Sequence, residues 1–387
     1  MSTSGLKSTV EAHYNRLEQR GLEERKQSRI YHLRSFNNWV KSVCINESLN
    51  LLRRGNDRRR IAVLDLCCGK GGDLKKWQIG RINYLVCADM AGTSVDQCRE
   101  RYEEMHRNPR NRWKFDAEFV VADCAQAKLW EHYNRPDQMF DLVSCQFSFH
   151  YSFETHERAE RMLRNACERL RPGGIYIGTI PDSYEIMKRL QQSEVNGFGN
   201  EIFSVTFDSK ERQPLFGARY HFFLDGHVDC PEFLVNFPLL VDMAKKIGMK
   251  LLYCYTFSKF FEEFAAVPFY ERLLERMDAL ETYPSDHLVA SVDEGEYEEA
   301  QEVLASQRAK QVGCLSRSEW EVASMYVAFA FQKEDDNVSH ARRPETSNAV
   351  PEQRSQNRGG HRDDRNGQHR RDTMNGQTSA AKRAREQ

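Results

Sequence analysis

The stretch Ile61-Ala62-Val63-Leu64-Asp65-Leu66-Cys67-Cys68-Gly69-Lys70-Gly71-Gly72-Asp73 decides the fold. Its first half is an apolar run of strand length, and its second half is a glycine turn, the order in which a buried parallel strand hands the chain to a helix. Glycine there permits a sharp bend and lets a ligand approach the backbone. Two phosphate cradles are excluded by spacing. The dinucleotide fingerprint needs a third glycine at G-x-G-x-x-G, and a P-loop needs Gly-Lys-Ser/Thr after its first glycine. Neither pattern is present.

Working outward, a strand over 84–88 ends at Asp89 and another over 117–122 ends at Asp123. A carboxylate at Asp89 can accept hydrogen bonds from two ribose hydroxyls, and one at Asp123 is placed where an adenine amino group could be read. Either acid could instead cap the helix that follows it, because a carboxylate satisfies orphan N–H groups. Asp89 alone would also suit a dinucleotide fold. The turn and both acids together resemble the motif of class I S-adenosylmethionine methyltransferases, in which the turn wraps the methionine half of the cofactor.

Alternation of strand and helix patterns across the chain predicts a parallel sheet covered on both faces. Further strands are expected over 140–145 and 175–180, with a helix over 154–170 and the turn Arg171-Pro172-Gly173-Gly174 between them. Segments 202–207 and 220–224 alternate apolar and polar residues and predict an antiparallel pair inserted into the sheet order. Strands over 251–257 and 324–331 complete the set, separated by an acidic, helix-rich lobe over 260–313.

Composition adds limits. The chain has 387 residues, 40% of them hydrophobic, which supports a sizeable core, and its formal net charge is -1. Overall charge therefore points to no anionic partner, but residues 1–60 hold thirteen Lys or Arg against six Asp or Glu, a bias that permits phosphate contact. Eleven cysteines without a signal peptide predict free thiols in a reducing compartment. Cys67-Cys68 has no second pair at zinc-ligand spacing, so small buried side chains are the expected role. No apolar run reaches membrane-spanning length. From Asp336 to Gln387 there is no Leu, Ile, Phe, Tyr or Trp. Such a segment cannot bury enough apolar surface to order itself. Its cluster Lys382-Arg383-Ala384-Arg385 suits a nuclear import signal, and Arg358-Gly359-Gly360 with Arg370-Arg371 suits RNA contact.

The first predicted helix carries Ile30, Leu33, Val40 and Val43 on a core face, and Arg34, Asn38 and Lys41 on another. Asn37-Asn38 costs helix stability unless something uses the amides. Together, His13-Tyr14-Asn15, Ser28-Arg29-Ile30, Phe36 to Lys41, Leu64-Asp65-Leu66 with Gly69 to Asp73, Ser144 to Phe147, His150 to Phe153, Pro231 to Leu234 and Ser318 to Glu321 resemble the eukaryotic mRNA cap guanine-N7 methyltransferase family. The resemblance runs from about Val10 to Gln332. It implies an α/β, Rossmann-like class I methyltransferase fold with a mostly parallel central sheet, an inserted antiparallel pair and a helical lobe. Three regions follow from it: a basic segment over 1–24, a cap methyltransferase domain over 25–332, and a disordered tail over 333–387.

The resemblance implies that Lys41, Asp89, Asp123, Gln146, Tyr151 and the backbone at Cys67 contact S-adenosylmethionine or its product, with no metal. Cys67 stands where the family usually has glycine, and a thiol fits there if the backbone angles are ordinary. Cap contacts fall to Asn37, Asn38, Lys70, Lys76, Arg101, His150, Glu232 and Tyr326. The chemistry suits them. Guanine presents N1–H and its N2 amino group side by side, which one carboxylate, Glu232, can accept. Lys70, Lys76 and Arg101 are cations for a triphosphate bridge. Guanine N7 has a lone pair and no proton, so no general base is needed and none is assigned, with His150, Tyr151 and Glu232 positioning the base. The partners expected are 5′-capped mRNA, a small activating subunit and the transcription and capping machinery. A nuclear monomer without membrane attachment is expected. A nucleotide-dependent oxidoreductase, a non-catalytic RNA-binding module of the same fold, and a methyltransferase acting on another RNA base remain open at this point.

Overall fold

The computed structural model describes residues 27–56, 58–290, 295–307 and 310–334. The basic segment 1–24 with His13-Tyr14-Asn15, and the tail from 335 onward with its three basic clusters, lie outside them.

The deciding stretch forms β1 (Ala62–Leu66), buried at all five positions. β2 (Tyr84–Asp89) and β3 (Asp116–Val121) extend the sheet to one side, and β4 (Phe140–Gln146) and β5 (Leu170–Pro181) to the other, every pairing parallel. A separate antiparallel sheet follows, built from β6 (Gly197–Gly199), β7 (Phe203–Phe207), β8 (Arg219–Leu224) and β9 (Val228–Phe233). The chain returns to the central sheet with β10 (Met249–Thr256). It then makes a two-stranded ribbon, β11 (Glu281–Tyr283) with β12 (Val312–Cys314), before β13 (Tyr326–Lys333) inserts antiparallel between β5 and β10. The central order is β10-β13-β5-β4-β1-β2-β3. Strand order reverses between β1 and β4, and at such a switch point a crevice opens beyond the carboxyl ends of the strands.

Ten α-helices carry the described chain across and around the two sheets: α1 (Tyr31–Arg53), α2 (Leu74–Ile79), α3 (Gly92–Arg107), α4 (His156–Cys167), α5 (Ser183–Gln192), α6 (Phe237–Lys246), α7 (Phe257–Phe264), α8 (Pro268–Arg276), α9 (Glu298–Gln307) and α10 (Arg317–Ala323). Period-two alternation sorts the core of β1. Val63 joins a cluster with Phe36, Trp39 and Trp77, while Leu64 and Leu66 join one with Phe149, Phe153 and Met162. Aromatic contacts hold α1 to α7 and α10, with Phe36 packed on Phe257, Phe261 and Trp320 as well as on Trp39 of its own helix. The Trp39 indole donates to the Tyr270 carbonyl at 2.9 Å. Burying one such aromatic ring contributes on the order of 2–3 kcal/mol.

Several expectations shift. The antiparallel pair exists, as β7 and β8, but it forms the middle of its own four-stranded sheet. The turn at 171–174 lies within β5 as a bulge, because Phe140 pairs with Leu170 while Leu142 pairs with Ile175. The helix expected over 154–170 begins only at His156, where the Thr155 side chain caps it. A 3-10 turn, Phe149–Glu154, takes the preceding residues. The lobe is not purely helical, since the ribbon of β11 and β12 closes it.

Candidate active site

A cavity of about 820 Å³ opens at the switch point, beyond the carboxyl ends of β1, β2 and β4. Thirteen of the fourteen residues singled out from the sequence line it: Lys41, Cys67, Asp89, Asp123, Gln146 and Tyr151 from the cofactor set, and Asn37, Asn38, Lys70, Arg101, His150, Glu232 and Tyr326 from the cap set. Lys76 does not. Its ammonium lies 2.6 Å from Asp73 Oδ1 and 3.2 Å from Asn38 Oδ1, so it braces the wall from behind.

The floor is the glycine turn. Gly71 has φ +73°, and a Cβ there would stand 2.7 Å from both Cys98 Sγ and Leu74 Cδ1, so only glycine fits. Cys67 also sits in the left-handed region, at φ +56°. The backbone there is therefore not ordinary, and the chain carries a thiol where its geometry favours glycine. Asp89 shapes the same turn, with Gly69 N–H donating to Oδ2 and Ala91 N–H to Oδ1, each at 2.9 Å. Burial raises the Asp89 pKa, and those two amides partly offset it. Asp123 accepts the Ala125 N–H at 3.0 Å on Oδ1 and both Arg158 Nη atoms at 3.4 Å on Oδ2. Both acids thus do the local capping work of strand-end aspartates and still face the cavity. Gln146 is fixed by Thr179, which donates to its Oε1 at 3.0 Å, and by Ser144, which accepts from its Nε2 at 3.1 Å.

From α1, Lys41 reaches Asp73 Oδ1 at 2.9 Å, the same oxygen that Lys76 contacts. Burial alone would raise the Asp73 carboxyl, but Lys41 and Lys76 outweigh it and hold it well below the usual carboxylate range. Asn38 Nδ2 donates to the Arg34 carbonyl at 3.0 Å, while Asn37 Oδ1 is buried without a hydrogen-bond partner among the described residues. At the outer wall, partial burial and then the Arg101 guanidinium lower the Lys70 pKa, the mark of two cations sharing one side of the opening.

The far wall is a buried carboxylate among phenols. Strand pairing sets Tyr220 of β8 opposite Glu232 of β9. The Tyr220 hydroxyl donates to Glu232 Oε2 at 2.6 Å, and the Tyr151 hydroxyl donates to Oε1 at 3.3 Å. Burial first, then the Glu232 charge, raises the Tyr220 pKa well above its ordinary value, so the phenol keeps its proton and remains a donor. His150 Nε2 lies 3.2 Å from Glu232 Oε1 but out of hydrogen-bond alignment, leaving both ring nitrogens buried and unpartnered within the described protein. Buried polar atoms are nearly always paired, so His150 and Asn37 ask for a ligand. Tyr326 stands beside this wall, its ring 5.2 Å from Phe147 and 5.7 Å from Phe257. Sequence reasoning missed Asp73, Arg158 and Tyr220. The β8 alternation marked Tyr220 as inward-facing, but only the register with β9 brings it to Glu232.

A patterned acceptor wall, a cationic rim and an acid-lined glycine turn fit a nucleobase, a polyphosphate and a nucleoside in one cavity. The profile of the mRNA (guanine-N(7))-methyltransferase domain family matches residues 1–334. A Drosophila melanogaster mRNA cap guanine-N(7) methyltransferase is 42% identical over 342 residues, covering 86% of this chain and 79% of its own length. A Caenorhabditis elegans protein of the same name is 41% identical over 361 residues, covering 90% of this chain and 93% of its own. An Oryza sativa subsp. japonica mRNA cap guanine-N(7) methyltransferase 1 is 36% identical over 340 residues, covering 86% and 83%.

Proposed function

The chain belongs to the mRNA cap guanine-N7 methyltransferase family, which transfers a methyl group from S-adenosylmethionine to N7 of the guanosine cap of mRNA, and from that premise we propose how its cavity divides the work. The half built on Cys67, Asp89, Asp123, Gln146 and Lys41 holds the cofactor, with Asp89 on the ribose and Asp123 on the adenine. The half built on Asn37, His150, Tyr151, Glu232 and Tyr326 holds the cap guanine, and Lys70, Arg101 and Asn38 meet the triphosphate bridge. Lys76 acts through Asp73 and Asn38, as a positioning residue.

The single observation behind this division is the buried Glu232 carboxylate, braced by two phenols and facing unpartnered His150. A carboxylate has about four lone-pair directions, and two donors leave room for the adjacent N1–H and N2 amino donors of guanine. Adenine lacks that donor pair. When bound, S-adenosylmethionine supplies an electrophilic sulfonium methyl. This chain's residues then orient and dehydrate. Guanine N7 has no proton to lose, so none of them needs to act as a base, and alignment alone can supply roughly 7–11 kcal/mol in favourable cases. Glu232 also favours the positive charge that develops on the purine.

We further infer a monomer that works in the nucleus, directed there by the basic tail, with a small activating subunit on the lobe. Supporting the lobe as a docking face, Phe269 and Val267 of its α8 region are 52% and 38% exposed. Methyl transfer to guanosine-capped RNA, uncapped triphosphate RNA and free cap dinucleotide tests the division. Product mapping should place the methyl at N7 only, with the uncapped RNA inert. Equal methylation of uncapped RNA would remove guanine recognition from the Glu232 wall.

A further inference from the structure

Adjacent Cys67 and Cys68 turn to opposite faces of the central sheet, each joining a different core cluster. On its side Cys68 meets Cys87 of β2 and Cys98 of α3. The three sulfur atoms all lie within 4.8 Å of one another. Cys87 and Cys98 are fully buried, whereas Cys68 reaches the cavity wall. The cluster also backs directly on the glycine turn, because Cys98 Sγ occupies the space that a Gly71 Cβ would need.

We propose that Cys68, Cys87 and Cys98 form a three-coordinate thiolate site for a soft, thiophilic monovalent cation of the Cu(I) type, entered through the cofactor cavity. A central ion at a metal–sulfur distance of about 2.3 Å sets three sulfurs roughly 4 Å apart, which this cluster already approaches. Thiolates select Cu(I), zinc or iron–sulfur clusters, and the last are held by four cysteines. Structural zinc takes four ligands. No carboxylate or imidazole joins the three sulfurs within 4.8 Å among the described residues. Three sulfurs alone remain. Binding displaces thiol protons to solvent and moves no electrons.

The test uses the full chain, reduced and under nitrogen, titrated with Cu(I) delivered as its bicinchoninate complex. One equivalent should pass from the chelator to the protein, with a near-ultraviolet sulfur-to-copper band and three sulfur neighbours in copper X-ray absorption. Cys98→Ser and Cys87→Ser should each abolish that equivalent, and Cys167→Ser, a buried thiol on the opposite face of the sheet, should keep it. If the chelator retains the copper, or if the equivalent survives in folded Cys98→Ser and Cys87→Ser, the site is overturned. Should both variants unfold by circular dichroism, X-ray absorption of the unaltered protein decides, and a shell of two sulfurs or of mixed nitrogen and oxygen overturns it.

Discussion

Both Asp89 oxygens shape the turn: each accepts one amide, from Gly69 or Ala91, and so pins it. The remaining lone pairs suit two ribose hydroxyls. Hydrogen bonds to a charged group are worth about 1.5–3 kcal/mol each. Calorimetry on Asp89→Ala should therefore show S-adenosylhomocysteine affinity at least tenfold lower, and unchanged affinity would remove Asp89 from the cofactor half. Cys67 poses a different question. A non-glycine residue at φ +56° carries about 1–2 kcal/mol of backbone cost. Cys67→Gly relieves that cost but frees the unfolded chain by about 0.5–1 kcal/mol and gives up a packed thiol. Denaturant unfolding should find stability within about 1 kcal/mol of the parent, because these terms nearly offset. Cys67→Val places a β-branched residue in the same region and should lose more than about 2 kcal/mol.

At the scale of elements, the start of α1 is capped from the far end of the chain. Ile30 offers no side-chain cap, and Glu319 of α10 supplies the acceptor, taking the Leu33 N–H at 2.9 Å while also closing a capping box with Ser316. Burial pushes the Glu319 carboxyl up from 4.5 to about 7. Its folded pKa then exceeds its unfolded one, so folding favours the protonated form, and the penalty for a buried charge is greatest above pH 7 and fades as pH falls toward 4.5. The shift corresponds to a pH-dependent stability change on the order of 3 kcal/mol. Glu319→Gln keeps an acceptor for Leu33. It should flatten the decline in stability between pH 5 and pH 8, read by thermal melts, and an unchanged slope would place that titration elsewhere. A remote cap of this kind has no local sequence signal, since Leu33 and Glu319 are joined only by the fold. The same reason hid the thiol cluster, whose members come from the turn, β2 and α3. By contrast, the run into the glycine turn and the acids at Asp89 and Asp123 were legible, because strand, turn and carboxylate are contiguous. β6 and β9 escaped the reading because glycine and Pro231 interrupt the alternation that marks strands. Lys76 was legible as a cation near the turn, but not its commitment to Asp73.

For the whole molecule, the described fold ends its central sheet at β13, and residues 336–387 contain no large apolar side chain beyond valine and methionine. A segment of that composition offers little apolar surface to bury. Deleting 336–387 should leave methyl transfer to a short capped RNA nearly unchanged and should move the protein out of the nucleus. A collapsed rate would make the tail part of the catalytic unit, and retained nuclear localisation would remove the import role of Lys382 to Arg385. We propose that the cavity has two independent halves, cofactor on the glycine turn and guanine on the Glu232 wall. The most direct test pairs steady-state kinetics with cofactor calorimetry on Glu232→Gln, which keeps the shape, removes the charge and turns a donor toward guanine's donors. For this variant kcat/KM for capped RNA should be at least a hundredfold lower, about 2.7 kcal/mol, with S-adenosylhomocysteine affinity within about twofold of the parent. Near-normal transfer by the variant, or a loss of cofactor affinity as large as the loss of rate, would contradict it.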